Sequence, residues 1–291
     1  VNSVNSFMAL KKRRDEQKAP ATTGHEWDGI KEYDNPDPFW LRLVFYIALF
    51  YGLGYWILFP SWPSPNNIGV LEWTSYKELA ESQAEIMARR ALYQEDFDKA
   101  SFEDILKDDK LLKFALVGGE AAFNNNCAQC HQVGGGGARG YPNLRAGSWL
   151  WGGKIDDIYT TIKYGIRSGH EEARDSQMPS FGKDGTLQHK EIEILVEQVL
   201  ALSNGSSGSE VGQKLFQTHC ASCHGAGGEG NREVGAPSLK NAVRLYGGDR
   251  DTIYESIYFG RTGVMPYWTG KLNDTTIRQL AVYVHQLGGG E

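Results

Sequence analysis

Cys127-Ala128-Gln129-Cys130-His131 returns further along the chain as Cys220-Ala221-Ser222-Cys223-His224, and these two stretches hold all four cysteines. The C-x-x-C-H pattern reads as covalent attachment of a c-type haem. On a helical turn, residues three apart face the same way. Both thiols can then reach the two vinyl groups of one porphyrin, and the adjacent histidine points its imidazole at the iron. Three other readings are weaker. Zinc needs about four ligands, and no other cysteine is available. A thioredoxin-like redox pair belongs with a βαβ pattern, which surrounds neither copy. A disulfide within C-x-x-C is the third. Two copies inside a repeat, with no cysteine left over, favour haem.

Working outward, the repeat extends over most of the second half of the chain. Gly119 and Phe123 match Gly212 and Phe216. Tyr141-Pro142-Asn143-Leu144 matches Ala236-Pro237-Ser238-Leu239, and Trp151-Gly152-Gly153 matches Tyr246-Gly247-Gly248. Ile158, Tyr159 and Ile162 match Ile253, Tyr254 and Ile257. Leu195, Val199 and Leu202 match Leu280, Val284 and Leu287. Two copies are too few for a solenoid, so the pattern predicts tandem small domains over 111–203 and 210–291. Each has helices at its ends and glycine-rich loops between. Residues 204–209, with Ser203 before them, read as a flexible linker.

The sixth iron ligand is expected downstream of each motif. The chain has four methionines, and two of them, Met178 and Met265, occupy matching positions, each followed by proline. Met87 belongs to an apolar stripe with Tyr76, Leu79 and Ile86 and reads as packing. Met178 and Met265 therefore read as axial ligands opposite His131 and His224. Met/His ligation saturates the iron and raises its potential, which suits electron transfer. Pro142 and Pro237 follow the motifs at similar distances. Their carbonyls are candidates to orient the proximal histidines; ordinary loop prolines are an equal reading. Tyr164, Arg167, Phe259 and Arg261 are weaker candidates for the neighbourhood of the haem propionates. His25, His170, His189, His219 and His285 read as surface or structural residues.

Phe39 to Phe59 reads as a transmembrane helix, spanning ~31 Å at ~1.5 Å per residue against a ~30 Å hydrocarbon core. Trp40, Trp56 and Trp62 lie near its ends as interfacial aromatics do. Arg42 sits one turn inside, where it can snorkel. Mostly polar residues precede the span and no cleavage site follows, so it reads as an uncleaved anchor. Lys11, Lys12, Arg13, Arg14, Lys18 and Lys31 precede it, which by the positive-inside rule puts the N-terminus in the cytoplasm and the haem domains in the periplasm. Residues 1–38 are then a cytoplasmic segment, 39–59 the span and 60–110 a linker with an amphipathic helix. The acidic part from Glu95 to Asp109 reads as a solvated connector. The predicted fold class is mainly α, with one N-terminal transmembrane helix followed by two tandem cytochrome c-like domains.

Seven basic and seven acidic residues fall in 1–59, so residues 60–291 carry the whole net charge of −6. No basic excess exists to neutralise phosphates, which argues against nucleic-acid binding. The acidic exterior should attract a basic donor cytochrome c, with salt weakening the association.

The order of parts, one anchor and then two C-x-x-C-H…M-P domains, resembles CcoP/FixP, the membrane-anchored dihaem cytochrome c subunit of cbb3-type oxidases. So does Thr23-Gly24-His25-Glu26-Trp27-Asp28-Gly29-Ile30-Lys31-Glu32, with Asn35-Pro36-Asp37-Pro38-Phe39-Trp40 just before the anchor. The resemblance implies an inner-membrane subunit holding two covalent haems c. Cys127, Cys130, Cys220 and Cys223 would attach them, and His131, Met178, His224 and Met265 would be axial ligands. It also implies partners: a monohaem cytochrome c subunit and the catalytic haem b/copper subunit that reduces oxygen. In cytochrome c domains the last helix packs on the first through Leu-x-x-aromatic. Leu280 and Tyr283 fit that pattern, whereas Gln198 replaces the aromatic after Leu195. No residues are arranged as nucleophile, base or open metal site, so the chain has no active site of its own. A free membrane-tethered carrier and the cytochrome subunit of a periplasmic dehydrogenase share the haem motifs. So does a dihaem peroxidase, though that enzyme needs one iron with an exchangeable site.

Overall fold

The computed structural model describes residues 21–60, 68–240 and 245–291. Lys11, Lys12, Arg13, Arg14 and Lys18, on which the orientation argument leans, lie outside the described residues, as do Trp62, Pro63 and Pro65. The chain divides into two compact units, Val1–Ile86 and Met87–Glu291.

The first unit opens with an antiparallel hairpin, β1 (Thr22–Trp27) and β2 (Ile30–Tyr33), in which Trp27 faces Ile30 and Glu26 faces Lys31. Pro38 precedes helix α1 (Phe39–Leu58), which buries none of its residues within the chain and is long and apolar enough to cross a membrane. Phe59 stacks on Tyr55 and meets Trp73 edge-on as the chain leaves the helix. Helix α2 (Ser75–Lys99) follows. Its expected packing stripe is exposed: Tyr76, Leu79, Ile86 and Met87 all face out, Met87 at 67%. Among the described residues the stripe is left uncovered, and α2 is buried only near its C-terminus, at Phe97.

In the second unit the acidic stretch is not the solvated connector that its composition predicts. Phe97 and Ile105 are fully buried. The carboxylates lie outside them, with Lys99 paired to Glu95 and Lys107 to Glu103, both at 2.6 Å. Ser101 caps helix α3 (Phe102–Lys107). Asp108 caps α4 (Asp109–Asn126), accepting from the amides of Lys110 and Leu111. Short α5 (Ala128–His131) carries the first haem motif, and α6 (Ile155–Tyr164) follows a glycine-rich loop. Then come α7 (His189–Ser203), α8 (Glu210–His219), α9 (Ala221–His224), α10 (Arg250–Phe259) and α11 (Asp274–Gln286). Ser209, Asp249 and Asn273 cap α8, α10 and α11 through side-chain oxygens, as N-cap residues do.

The helix pairing departs from the expectation that each repeat closes on itself. The last helix of the chain, α11, packs on α4 of the first copy, while α7 of the first copy packs on α8 of the second. Two cores result. Lobe A gathers Phe97, Ile105, Phe123, Ile158 and Ile162 with Ile277, Leu280 and Val284. Lobe B gathers Leu187, Ile192, Leu195 and Val199 with Phe216, Ile253 and Ile257. The core of lobe B is one continuous stretch of chain, set inside lobe A. The physical reason is the connection at 204–209. It is a bonded turn and not a flexible tether: Ser206 N donates to Ala201 O at 2.8 Å, and Gln198 Nε2 donates to Ser207 O at 2.9 Å. A connection this short returns the chain antiparallel onto its immediate predecessor.

Arg278 on α11 fixes the start of lobe A. Its guanidinium lies over Phe97 and Phe102 and donates to the carbonyls of Phe97 and Ala100, at the C-terminus of α2. A cation there also meets the negative end of the helix dipole. Arg278→Ala should lower unfolding stability by about 2 kcal/mol, the contribution of hydrogen bonds from a charged donor. Thermal or denaturant unfolding of the haem-loaded protein checks this.

Candidate haem sites

Each C-x-x-C-H motif begins at a helix break. Cys127 and Cys220 have helical dihedrals and serve at once as the C-cap of the long helix and the N-cap of the short one. The short turn then presents Cys130-His131 and Cys223-His224. All four cysteines are free thiols, with Cys127 and Cys220 half-buried and Cys130 and Cys223 exposed. Burial, reinforced by the neighbouring cysteine, pushes the thiols of Cys127 and Cys220 up to about 11. They are therefore protonated at neutral pH.

The histidines are held in one orientation. His131 Nδ1 lies 3.1 Å from Pro142 O, and His224 Nδ1 lies 2.9 Å from Pro237 O. A carbonyl can only accept, so each Nδ1 carries the proton and each Nε2 is left as a lone-pair donor. Burial lowers both imidazole pKa values, against the opposing effect of that hydrogen bond. The hydrogen bond selects the tautomer with Nε2 free, and burial favours the neutral form of the ring. Of the two readings of Pro142 and Pro237, the geometry matches the orienting carbonyl.

The methionines are exchanged between the two cores. Met265 packs against the core of lobe A, as do Cys127, Ala128 and Leu144. Met178 packs against the core of lobe B, as do Cys220, Ala221 and Leu239. Main-chain pairs hold them there. Met265 exchanges bonds with Ile166 at 2.9 and 3.0 Å, just after α6, and Met178 exchanges bonds with Arg261 at 3.2 and 3.3 Å, just after α10. Gly165 and Gly260 make the approach possible. Both are left-handed, at φ 76° and 70°, and a side chain on either would strike the backbone of the crossing methionine segment.

The fit to haem c rests on these residues. Each lobe offers two free thiols on one turn, an imidazole with a fixed tautomer and a thioether in the same core. Among the described residues no three His, Cys, Asp or Glu side chains converge as a metal site. The weaker candidates stand elsewhere in the bonding. Arg261 lies 4.2 Å from the Tyr246 ring centroid and bonds Ser256. Arg167 bonds main-chain carbonyls, Tyr164 packs on His170, and Phe259 is exposed. The sequence reading missed Arg174, which holds Thr161 and Asp157 and lies 5.5 Å from the Trp151 centroid. A signal was present: Arg174 and Arg261 each stand four residues before a Met-Pro.

Both repeats and the N-terminal segment match known families. Residues 115–197 and 209–284 match the family "Cytochrome C oxidase, cbb3-type, subunit III", and residues 19–66 match the "N-terminal domain of cytochrome oxidase-cbb3, FixP". The cbb3-type cytochrome c oxidase subunit FixP of Bradyrhizobium diazoefficiens is 44% identical over 284 residues, covering 95% of this chain and 98% of the relative. The subunit FixP of Azorhizobium caulinodans is 43% identical, with 94% of each chain covered. The subunit CcoP of Cereibacter sphaeroides is 42% identical over 98% of this chain and its own full length. The chain belongs to the CcoP/FixP family. It is thus a cytochrome c electron-transfer subunit of a cbb3-type oxidase, mainly helical, with one candidate membrane-spanning helix before two tandem cytochrome c repeats.

Proposed function

We propose that the subunit carries two covalent haems c with exchanged axial ligands. His131 and Met265 would hold the iron attached at Cys127 and Cys130. His224 and Met178 would hold the iron attached at Cys220 and Cys223. The observation that carries this reading is the packing of each methionine in the core of the other repeat's cysteine. Haem c, when bound, supplies a one-electron carrier that needs no open coordination site. The chain's own residues do the rest. Pro142 and Pro237 fix the imidazoles, Gly165 and Gly260 admit the methionine segments, and the two cores exclude water.

In this reading α1 anchors the subunit in the bacterial inner membrane, with its N-terminus cytoplasmic and the lobes periplasmic. Electrons arrive from a basic donor cytochrome c and leave toward a monohaem cytochrome c subunit and the haem b/copper subunit. The acidic exterior makes the donor step weaken with salt. The test is a pyridine haemochrome assay on protein purified from membranes in mild detergent. Two haems c per chain with haem b and copper co-purifying is the expected result. Two haems c without haem b under the gentlest conditions would mean a free carrier instead.

A further inference from the structure

One side chain touches both methionine segments at the same relative position. Arg167 Nε donates to Gly263 O at 2.7 Å, and Arg167 Nη1 donates to Ser176 O. Gly263 stands two residues before Met265, and Ser176 two residues before Met178. Arg167 itself is left-handed, at φ 49°, a conformation that costs an arginine energy and persists only where the surroundings hold it. Its amide donates to Arg174 O at 2.8 Å, and its neighbour Ile166 is the residue paired with Met265. Both acceptors of the guanidinium are main-chain carbonyls, which bond changes of side chain cannot replace.

We propose that Arg167 is a positioning residue that ties the two axial methionines together, so that the coordination of one haem depends on that of the other. The inference rests on the exchanged ligation proposed above. A planar guanidinium spans two acceptors at once with little freedom between them. A shift of either methionine segment away from its lobe therefore pulls on the carbonyl that steadies the other. Arg174 and Arg261 act differently. The side chain of each is bonded within its own repeat, to Thr161 and Asp157 or to Ser256, although the Arg261 main chain pairs with Met178. Through its side chain each steadies only the methionine that follows it.

The test uses the full-length protein, purified from membranes with its haems attached. Two quantities are read: the sulfur-to-iron charge-transfer band of the ferric form and the carbon monoxide-reactive fraction of the ferrous form. Arg167→Gln should raise the reactive fraction of both haems together, about tenfold or more, as expected for losing one hydrogen bond from a charged donor at each segment. Arg167→Gly removes the same bonds while relieving the left-handed strain, so it should give the same result where Arg167→Gln folds poorly. Arg167→Lys, with a single ammonium, restores one haem at most. Arg174→Gln should affect only the haem at Cys220 and Cys223. A response confined to one haem in Arg167→Gln and Arg167→Gly overturns the coupling. So does lowered thermal stability with both bands intact. Met178→Leu and Met265→Leu are measured in parallel. If each opens one iron while the Arg167 variants open none, the ligation stands and the coupling falls. If neither opens an iron, the ligation fails and the coupling with it.

Discussion

Replacing Met265 by leucine should open the iron held by His131, because in the exchanged ligation proposed above the sulfur comes from the second repeat and the imidazole from the first. Leucine fills the same space without a donor, so lobe A should stay packed. Carbon monoxide then binds one haem stoichiometrically, where the parent protein binds essentially none, and the potential of that haem falls as the thioether is lost. The two irons are told apart by deleting one attachment site. In a Cys220→Ala, Cys223→Ala background, Met265→Leu still yields a carbon monoxide-reactive haem. In a Cys127→Ala, Cys130→Ala background it yields none. The opposite assignment in these two backgrounds would restore ligation within each repeat.

The second large effect is at a helix crossing. Gly119 on α4 faces α11 so closely that an added Cβ would lie 2.6 Å from Tyr283 Cβ and 2.9 Å from the Gln279 carbonyl carbon. Those are a rigid stem and a main-chain atom, so α11 must move as a body. Gly119→Ala should therefore lower stability by about 2–3 kcal/mol. That is a sizeable part of the ~5–15 kcal/mol that holds a domain. The matching glycine, Gly212 on α8, meets Gln198 Oε1 at 2.8 Å and Ser209 Oγ at 3.0 Å, side-chain ends that can give by a few tenths of an ångström while keeping the Ser209 cap and the Gln198 bond to Ser207. There the ~1 kcal/mol gained by alanine over glycine in a helix offsets the crowding. Gly212→Ala should be close to neutral in the same denaturation measurement. Equal losses at both positions would refute the distinction.

Much of the site was legible from residue types. C-x-x-C-H, the paired Met-Pro and the prolines downstream each announce a local geometry, and local geometry is what spacing encodes. The exchange of helices was not legible, because the repeat makes it so. Leu195, Val199 and Leu202 present the same apolar stripe as Leu280, Val284 and Leu287, so either helix suits either groove. The difference lies in the turn after Ser203, where Gly205, Ser206, Ser207 and Gly208 look like a linker by composition but are bonded back to α7. Gln198 shows the same lesson. It departs from Leu-x-x-aromatic, and it lies against Gly208 of the turn and Gly212 of the following helix, while Tyr283 meets Phe123 of the first. The acidic run around Phe97 and Ile105 misled for a related reason. Carboxylates dominate its composition, yet two buried apolar side chains decide where it sits.

The nesting of lobe B within lobe A orders the molecule in time. A chain is made from its N-terminus, and domains fold as they emerge. Every segment of lobe B has emerged once α10 is out, so its core can close before α11 follows. Lobe A presents Cys127 and His131 far earlier but waits for Met265 and α11, which follow lobe B in the chain. The candidate haem site that comes first in the chain is thus the last to be sealed, which would leave it open longest to a reductant and to the porphyrin.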